Sequence, residues 1–343
     1  MSQELIHLVS AADHRFFPGL LVALGSALAC ASGHFDYSIT VLDGGISSDD
    51  WENMNSHLQR IGRKKHIEIR LARIDATGAL VKGMPSRRGS PLTYARLAVP
   101  SVMHMQKAIY IDSDVVCLRG VEEFWTGLNT GAALVAVRDP LGVLGRDPLT
   151  RQLPKSKHKL PYFNAGIIGM NLDVWRQPEI ESQINRLLPE AASFRYVDQS
   201  LLNLVFHGQW HELPGACNSL LTLAACNQLA DTTELANYHY IGPRKPWLSS
   251  ISNFYRHAPN LLFDRIHQWI CDGHLSTPRT VCQVSMAAAR RKSRLYRLCL
   301  PSRGRLYSGA LAATENANTI VDRLLEIRKT SSVAICTRIP QQP

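Results

Sequence analysis

Lys107-Ala-Ile-Tyr-Ile-Asp-Ser-Asp-Val-Val-Cys117 is the stretch on which the reading of this chain turns. Residues 108–111 form a short apolar, β-prone run with the character of a buried strand. The run enters Asp112-Ser113-Asp114 directly, and the apolar text resumes at Val115-Val116. Two carboxylates between hydrophobic runs cost stability unless something compensates them. In extended chain, residues two apart share a side, so Asp112 and Asp114 can close on one ion. Hard cations such as Mn²⁺ and Mg²⁺ favour such oxygen ligands, with phosphate oxygens completing the shell. Taken alone, Asp-x-Asp reads equally as a solvated turn at a strand end, so the rest of the chain has to decide.

Working outward, strand and helix patterns alternate. Residues 5–11 read as a first strand ending at Ala12-Asp13, and residues 18–31 as a helix with Pro18 in its first turn. Residues 37–42 read as a second strand, and Ser47-Ser48-Asp49-Asp50 as the cap and acidic first turn of a helix reaching about Ile61. Ile67, Ile69 and Leu71 alternate with charged residues as in a half-buried strand, and residues 93–105 look helical with a break at Pro100. This rhythm predicts an α/β fold on a largely parallel, covered sheet. Ligands in such sheets gather beyond the carboxyl ends of the strands, where Asp13 and Asp112 both fall. The second half predicts a strand over 132–137 closing at Arg138-Asp139, a polar loop over 142–161, and a strand over 163–171 with small residues wherever something must approach the backbone. It then predicts helices over 178–192 and from Val197, where two polar groups at a helix N-terminus favour an anion, a strand over 237–241, a stiff turn from Gly242 to Trp247, and a helix over 261–270.

Composition bounds the function. The 343 residues are 45% hydrophobic and 19% charged, those of an ordinary globular protein. The net charge of +10 is unevenly placed: residues 275–343 hold twelve basic residues against three acids, hence +9 of it, which leaves residues 1–274 almost neutral. The chain is therefore expected to divide into a catalytic domain over 1–274 and a basic region over 275–343. Eight scattered cysteines without a C-x-x-C pair predict reduced thiols. The weakly polar run over 19–33 is too short to span a bilayer, and residues 4–9 read as a first strand rather than a leader, so a cytoplasmic setting is expected. Within the basic region, Arg290-Arg291-Lys292-Ser293-Arg294-Leu295-Tyr296-Arg297-Leu298 mixes cations with apolar residues. It reads either as a solvated helix face or as a segment lying on anionic lipid at the inner face of the membrane, each cation there worth about 1 kcal/mol. No nucleic-acid motif accompanies the charge, and no nucleic-acid partner is expected.

Six short motifs follow one another in order: Ala11-Ala12-Asp13, Thr93-Tyr94-Ala95-Arg96-Leu97, Tyr110-Ile111-Asp112-Ser113-Asp114, Phe163-Asn164-Ala165-Gly166, Asp198-Gln199 and His239-Tyr240-x-Gly242-x-x-Lys245-Pro246-Trp247. Together they resemble the family 8 glycosyltransferases, in particular bacterial lipopolysaccharide galactosyl- and glucosyltransferases, over roughly residues 4–272. The resemblance implies a GT-A fold, a UDP-galactose or UDP-glucose donor, a saccharide acceptor on a lipid, and transfer with retention at the anomeric carbon. It implies Mn²⁺, with Mg²⁺ as the alternative, held by Asp112, Asp114 and His239. Ala11, Asp13, Ser113, Gly242 and Lys245 would meet the nucleotide. Arg96, Asp139, Asn164, Ala165, Asp198 and Gln199 would hold the donor sugar, with Gln199 and Asp198 nearest the reacting carbon. His14 and Arg15 depart from the acid and amide that many relatives carry after Asp13, and Arg15 is a candidate for phosphate instead. A double displacement would need a carboxylate opposite UDP, with Asp198 nearest; a front-face route, UDP taking the acceptor's proton, is preferred because Gln199 is a poor nucleophile. Two rivals stand: a metal-dependent nucleotidyltransferase, disfavoured by Asp13-His14-Arg15-Phe16-Phe17 where a Gly-rich loop belongs, and an inactive membrane-bound scaffold, disfavoured by the intact ligand set.

Overall fold

The computed structural model describes residues 3–78, 82–85, 91–221, 235–242, 245–248 and 257–272, with a few positions between 290 and 322. The first half is built as the alternation predicts. Strand β1 (Glu4–Ala12) leads into helix α1 (Phe17–Ala29), β2 (Phe35–Asp43) into α2 (Ser48–Lys65), and β3 (Ile69–Asp75) follows. Helix α1 has Pro18 in its first turn and is apolar nearly all round, so it lies buried rather than half-exposed. Helix α2 is amphipathic: the Ser47 hydroxyl accepts from the Asp50 N–H, acids fill its first turn, Arg63, Lys64 and Lys65 its last, and His66 ends it at φ 56°. Residues 91–98 form a 3₁₀ stretch instead of the expected helix, and Pro100 opens the short α3 (Val99–Val102), where its missing N–H costs nothing. Strand β4 (Lys107–Ile111) then enters beside β1.

The second half adds β5 (Val115–Val116), α4 (Glu122–Gly127), β6 (Leu134–Val143), β7 (Pro161–Asn171), α5 (Leu172–Trp175), α6 (Pro178–Leu187), α7 (Asp198–Val205), β8 (Trp210–Leu213), β9 (Ser219–Leu220), β10 (Tyr238–His239) and α8 (His257–Asp272). The main sheet has the order β3-β2-β1-β4-β7-β6-β8. Every neighbouring pair is parallel except those made by β7, which runs against β4 and β6. Strand β6 does not stop at Arg138-Asp139 as expected but continues to Val143, with register shifts on either side of Val137 and Arg138. One apolar cluster packs α1, α2 and α8 on one face of the sheet; a second packs Tyr94, Leu97, Trp175 and α7 on the other.

Chain order runs from β1 outward to β3 and then returns to β4 on the other side of β1. The carboxyl ends of β1 and β4 therefore flank a topological switch point, where α/β sheets open a crevice. Asp13 and Asp112 stand there, one residue past their strands. A small second sheet, β5-β10-β9, closes over the same end. Among the described residues no helix is long and apolar enough to cross a membrane. Most of the basic region over 275–343 lies outside the described residues. Of its described positions, Arg290, Arg291 and Arg294 are exposed, as are Leu295 and Leu298, while Asp322 pairs with Arg265 of α8.

Candidate active site

Three separate pieces of chain meet at the end of β4. The Asp112 N–H donates to the Gly166 carbonyl at 2.8 Å, which fixes the loop after β4 against β7. Strand β5 pairs antiparallel with β10, placing His239 opposite Val115, and the Tyr240 N–H donates to the Asp114 carbonyl at 2.9 Å. Gly166 lies under the His239 ring, where a Cβ would collide with the imidazole. The ring thus fills a space that a side chain at 166 would need, the close approach expected of the small residues in this strand.

Asp112, Asp114 and His239 each offer one ligand atom within a common 4.8 Å. His239 Nε2 is 3.2 Å from Asp114 Oδ1 and 3.8 Å from Asp112 Oδ2. Its other nitrogen, Nδ1, is 3.2 Å from Asn164 Oδ1. That oxygen also takes the Gly166 N–H at 2.9 Å, and a backbone N–H can only donate, so the Asn164 amide is oriented without ambiguity. Nδ1 must then carry the ring proton, and in the neutral imidazole Nε2 presents a lone pair to two carboxylates. Asp114 Oδ1 is buried with no aligned hydrogen-bond donor among the described residues. Facing acceptors at this spacing call for a cation between them.

The surrounding charge agrees. Arg96 is buried and bridges two carboxylates: Nη2 donates to Asp112 Oδ1 at 2.6 Å, and Nε lies 2.7 Å from Asp198 Oδ2 as a close ion pair. Nη1 donates to the Ala165 carbonyl, and the guanidinium lies over the Tyr110 ring at 4.6 Å. Lys245 is also buried; its Nζ donates to Asp114 Oδ2 and, at 2.7 Å, to the Tyr240 carbonyl. Among the described residues, Asp112, Asp114 and Asp198 thus confront two cations, Arg96 and Lys245, in a largely buried space. Burial pushes the Asp112 carboxyl up against the pull of Arg96. Burial would raise Asp114 as well, but Lys245 outweighs it and holds that carboxyl well below the ordinary range. Burial lifts Asp198 to about 6 despite Arg96. Two carboxylates, an imidazole lone pair and surplus negative charge fit a divalent cation.

Beside this cluster lies an amide network. Asn164 Nδ2 donates to Asp139 Oδ2 at 3.0 Å and to Gln199 Oε1 at 3.1 Å. Gln199 Oε1 also accepts the Ala165 N–H at 3.1 Å, while its Nε2 donates to Asp139 Oδ2 at 3.3 Å. Expectation placed two polar groups at the start of α7 as a ready site for an anion. Asp198 is instead itself the anion, and Arg96 is its partner. Asp13 caps its own turn, its Oδ1 accepting from the Arg15 and Phe16 N–H groups at 2.9 and 3.0 Å. Ala11 is buried at the end of β1, Ser113 is buried between the two acids, and Gly242 takes φ 85°, three positions before Lys245 in the sequence; residues 243 and 244 of the expected stiff turn lie outside the described residues. Arg15 is exposed; its carbonyl accepts from Trp247 Nε1 at 2.9 Å, and the Trp247 ring packs on Phe16 and Phe263. Those contacts anchor the turn that carries Lys245.

Two contributors escape sequence reasoning. Asn218 Nδ2 donates to Asn164 Oδ1 at 2.9 Å from a segment without periodicity, and no local signal marks it. Gly19 of α1 lies against the Ser113 carbonyl and the Trp247 ring, where a Cβ would clash with both; a glycine inside an otherwise apolar helix was the available sign.

With this geometry in hand, the chain can be set beside known proteins. Among solved structures, the galactosyltransferase LgtC in complex with donor and acceptor sugar analogs superposes with a TM-score of 0.61 at 25% identity, over 80% of this chain and 98% of that one. The fold is thus GT-A-like, with the mostly parallel central sheet expected. Bacillus subtilis general stress protein A is 25% identical over 74% of this chain and 91% of its own length. The lipopolysaccharide 1,2-glucosyltransferase of Escherichia coli is 27% identical over 42% of this chain and 44% of its own length. A putative glycosyltransferase of Haemophilus influenzae is 29% identical over 52% and 55%. The family model described as "Glycosyl transferase family 8" matches residues 7–250, a span that takes in the whole cluster from the end of β1 to Lys245. The chain belongs to glycosyl transferase family 8.

Proposed function

We propose that this glycosyltransferase moves a hexose, glucose or galactose, from a UDP-sugar to a saccharide acceptor with retention at the anomeric carbon, and that it requires a divalent cation held by Asp112, Asp114 and His239. The observation that carries this reading is the placement of the His239 ring: Nδ1 faces the Asn164 Oδ1 that also accepts the Gly166 N–H, and Nε2 is the ring atom that faces both acids. An imidazole in the set favours Mn²⁺ over Mg²⁺. When bound, the cation supplies Lewis-acid neutralisation of charge on the departing diphosphate.

The chain's own groups do the remainder. Lys245, buried beside Asp114, adds a positive charge to the same phosphates, with Gly242 letting the backbone come close. Ala11, Asp13 and Ser113 line the nucleotide end of the crevice between β1 and β4. Arg96, Asp139, Asn164, Ala165, Asp198 and Gln199 orient the donor sugar's hydroxyls and meet the positive charge that builds at its anomeric carbon. Gln199 Oε1 already accepts two hydrogen bonds and Asp198 is committed to Arg96. Neither is a free nucleophile, which supports a front-face route in which the donor's own diphosphate takes the acceptor's proton.

The acceptor class follows from similarity to the lipopolysaccharide glucosyltransferase and from the tail. The proposed acceptor is a lipid-linked core saccharide, reached from the inner face of the membrane by a cytoplasmic enzyme. Exposed Leu295 and Leu298 among the arginines support attachment to an anionic surface. The test is incubation with UDP-glucose or UDP-galactose, Mn²⁺ and truncated lipopolysaccharide acceptors, with the anomeric configuration of the product read by NMR. An α-glycoside from one of the two donors is expected. A β-glycoside, or a phosphodiester product, would overturn the reading.

A further inference from the structure

Two residues of the sugar site, Asp198 and Gln199, follow a backbone conformation that their predecessor resists. Val197 has φ 51° and ψ −123°. The Gln199 N–H donates to the Tyr196 carbonyl at 3.1 Å, so residues 196–199 make a turn of type II′, whose second residue belongs to glycine. For a β-branched residue this conformation is strained, and surrounding structure has to hold it.

What holds it is a carboxylate that the reaction does not use. Asp147 is wholly buried, in the loop between β6 and β7. Its Oδ1 accepts the Leu149 N–H at 2.9 Å; its Oδ2 accepts the Tyr162 and Ser200 hydroxyls, both at 2.6 Å. The Ser200 oxygen in turn accepts the Tyr196 N–H at 3.2 Å, which ties the start of the turn to the first turn of α7. Tyr162 packs edge-on against the Tyr196 ring at 6.2 Å. Further along, Asn203 binds both backbone groups of Phe163 at 2.9 Å and so fixes α7 on β7. With α7 tied to β7 at Asn203, the Ser200–Asp147 contact joins the first turn of α7, and through the Tyr196 N–H the start of the strained turn, to the loop between β6 and β7.

We propose that Asp147, acting through Ser200, is a positioning residue: it keeps the Val197 turn in the conformation that aims Asp198 at Arg96 and Gln199 at Asp139 and Asn164. Without it the turn relaxes to negative φ, and both side chains leave the sugar site. The proposal rests on the glycosyl-transfer reading above. The test is a double-mutant cycle on the full-length chain, with Ser200→Ala and Val197→Gly, measuring kcat, donor KM, the half-saturating Mn²⁺ concentration and Tm. The wild-type rate in the same assay tests the transfer itself; only the ratios between variants test the lock. Ser200→Ala is expected to lower kcat at least about tenfold with Val197 present, since misplaced sugar contacts cost orders of magnitude. Donor KM and Mn²⁺ demand should stay within about twofold. In the Val197→Gly background the same change should cost under about threefold, because glycine adopts the turn without being held. A serine whose removal costs the same factor in both backgrounds, or lowers Tm while leaving kcat unchanged, would overturn the proposal. Ser200→Ala removes only one hydroxyl, so the cycle remains readable where Asp147→Asn fails to fold.

Discussion

Lys245 and Asp114 are in contact yet do different work, and substitution should separate them. Asp114→Ala removes a proposed metal ligand and its charge, so transfer should fall by roughly 10³-fold or more, the scale of losing preorganised electrostatic support. Lys245→Ala should raise the donor KM and leave the half-saturating Mn²⁺ concentration unchanged. Initial rates over a grid of donor and Mn²⁺ concentrations distinguish the two, and near wild-type turnover by the Asp114 variant would contradict the assignment. Asp198 makes a pH-dependent prediction of definite sign. Its folded value of about 6 exceeds the ordinary 3.8, so the folded protein holds this proton more tightly than the unfolded chain does. The stability it contributes is present below the ordinary value and is lost as pH rises through about 6. Metal-free wild type should therefore lose stability relative to Asp198→Asn between pH 5 and 7; a difference that does not change with pH would contradict the buried, lifted carboxyl.

Among the elements, the site depends on two-residue strands whose mutual pairing no periodicity announces. The alternation of β1, α1, β2, α2 and β3 is legible because each has several apolar residues on one period and a cap or turn at its ends. The carboxyl-end positions of Asp13 and Asp112 follow from that alternation alone. Strand β10 was legible as the strand expected over 237–241, but its pairing with β5 and β9 and the strand β8 were not: two to four residues carry no period, and their partners lie far along the chain. For the same reason Asn218 could not be read, since its role is a contact with Asn164 across 54 positions. The ligand set was legible only through the order and spacing of six motifs. The carboxylate lock at Asp147 was not, because one acid in a polar loop looks like any other until its burial is seen. Pairing of β5 with β10 gives a prediction: Gly166→Ala should leave the main sheet intact but push the His239 ring away from the acids. Mn²⁺ demand should then rise about tenfold or more, as when a metal ligand's support is lost, with far-UV circular dichroism unchanged. An unaltered Mn²⁺ titration would show that the ring position does not depend on the glycine.

The whole molecule separates its charge from its chemistry. Every proposed donor and metal contact lies before residue 249, while +9 of the net +10 lies after residue 274. Replacing Arg290, Arg291, Lys292, Arg294 and Arg297 by Gln should therefore abolish salt-sensitive sedimentation with anionic vesicles and leave transfer to a small soluble acceptor within about twofold. Vesicle binding equal to that of the wild type would remove the tail from the membrane contact. One titration tests whether Asp112, Asp114 and His239 hold the divalent cation proposed for transfer from a UDP-hexose. UDP release from the preferred donor is measured against Mn²⁺ concentration for wild type and His239→Ala. No release in the presence of a chelator is predicted, with a half-saturating Mn²⁺ concentration more than about tenfold higher in the variant and a rate at saturating metal that largely recovers. Superimposable Mn²⁺ titrations, or full activity with the chelator present, would contradict it.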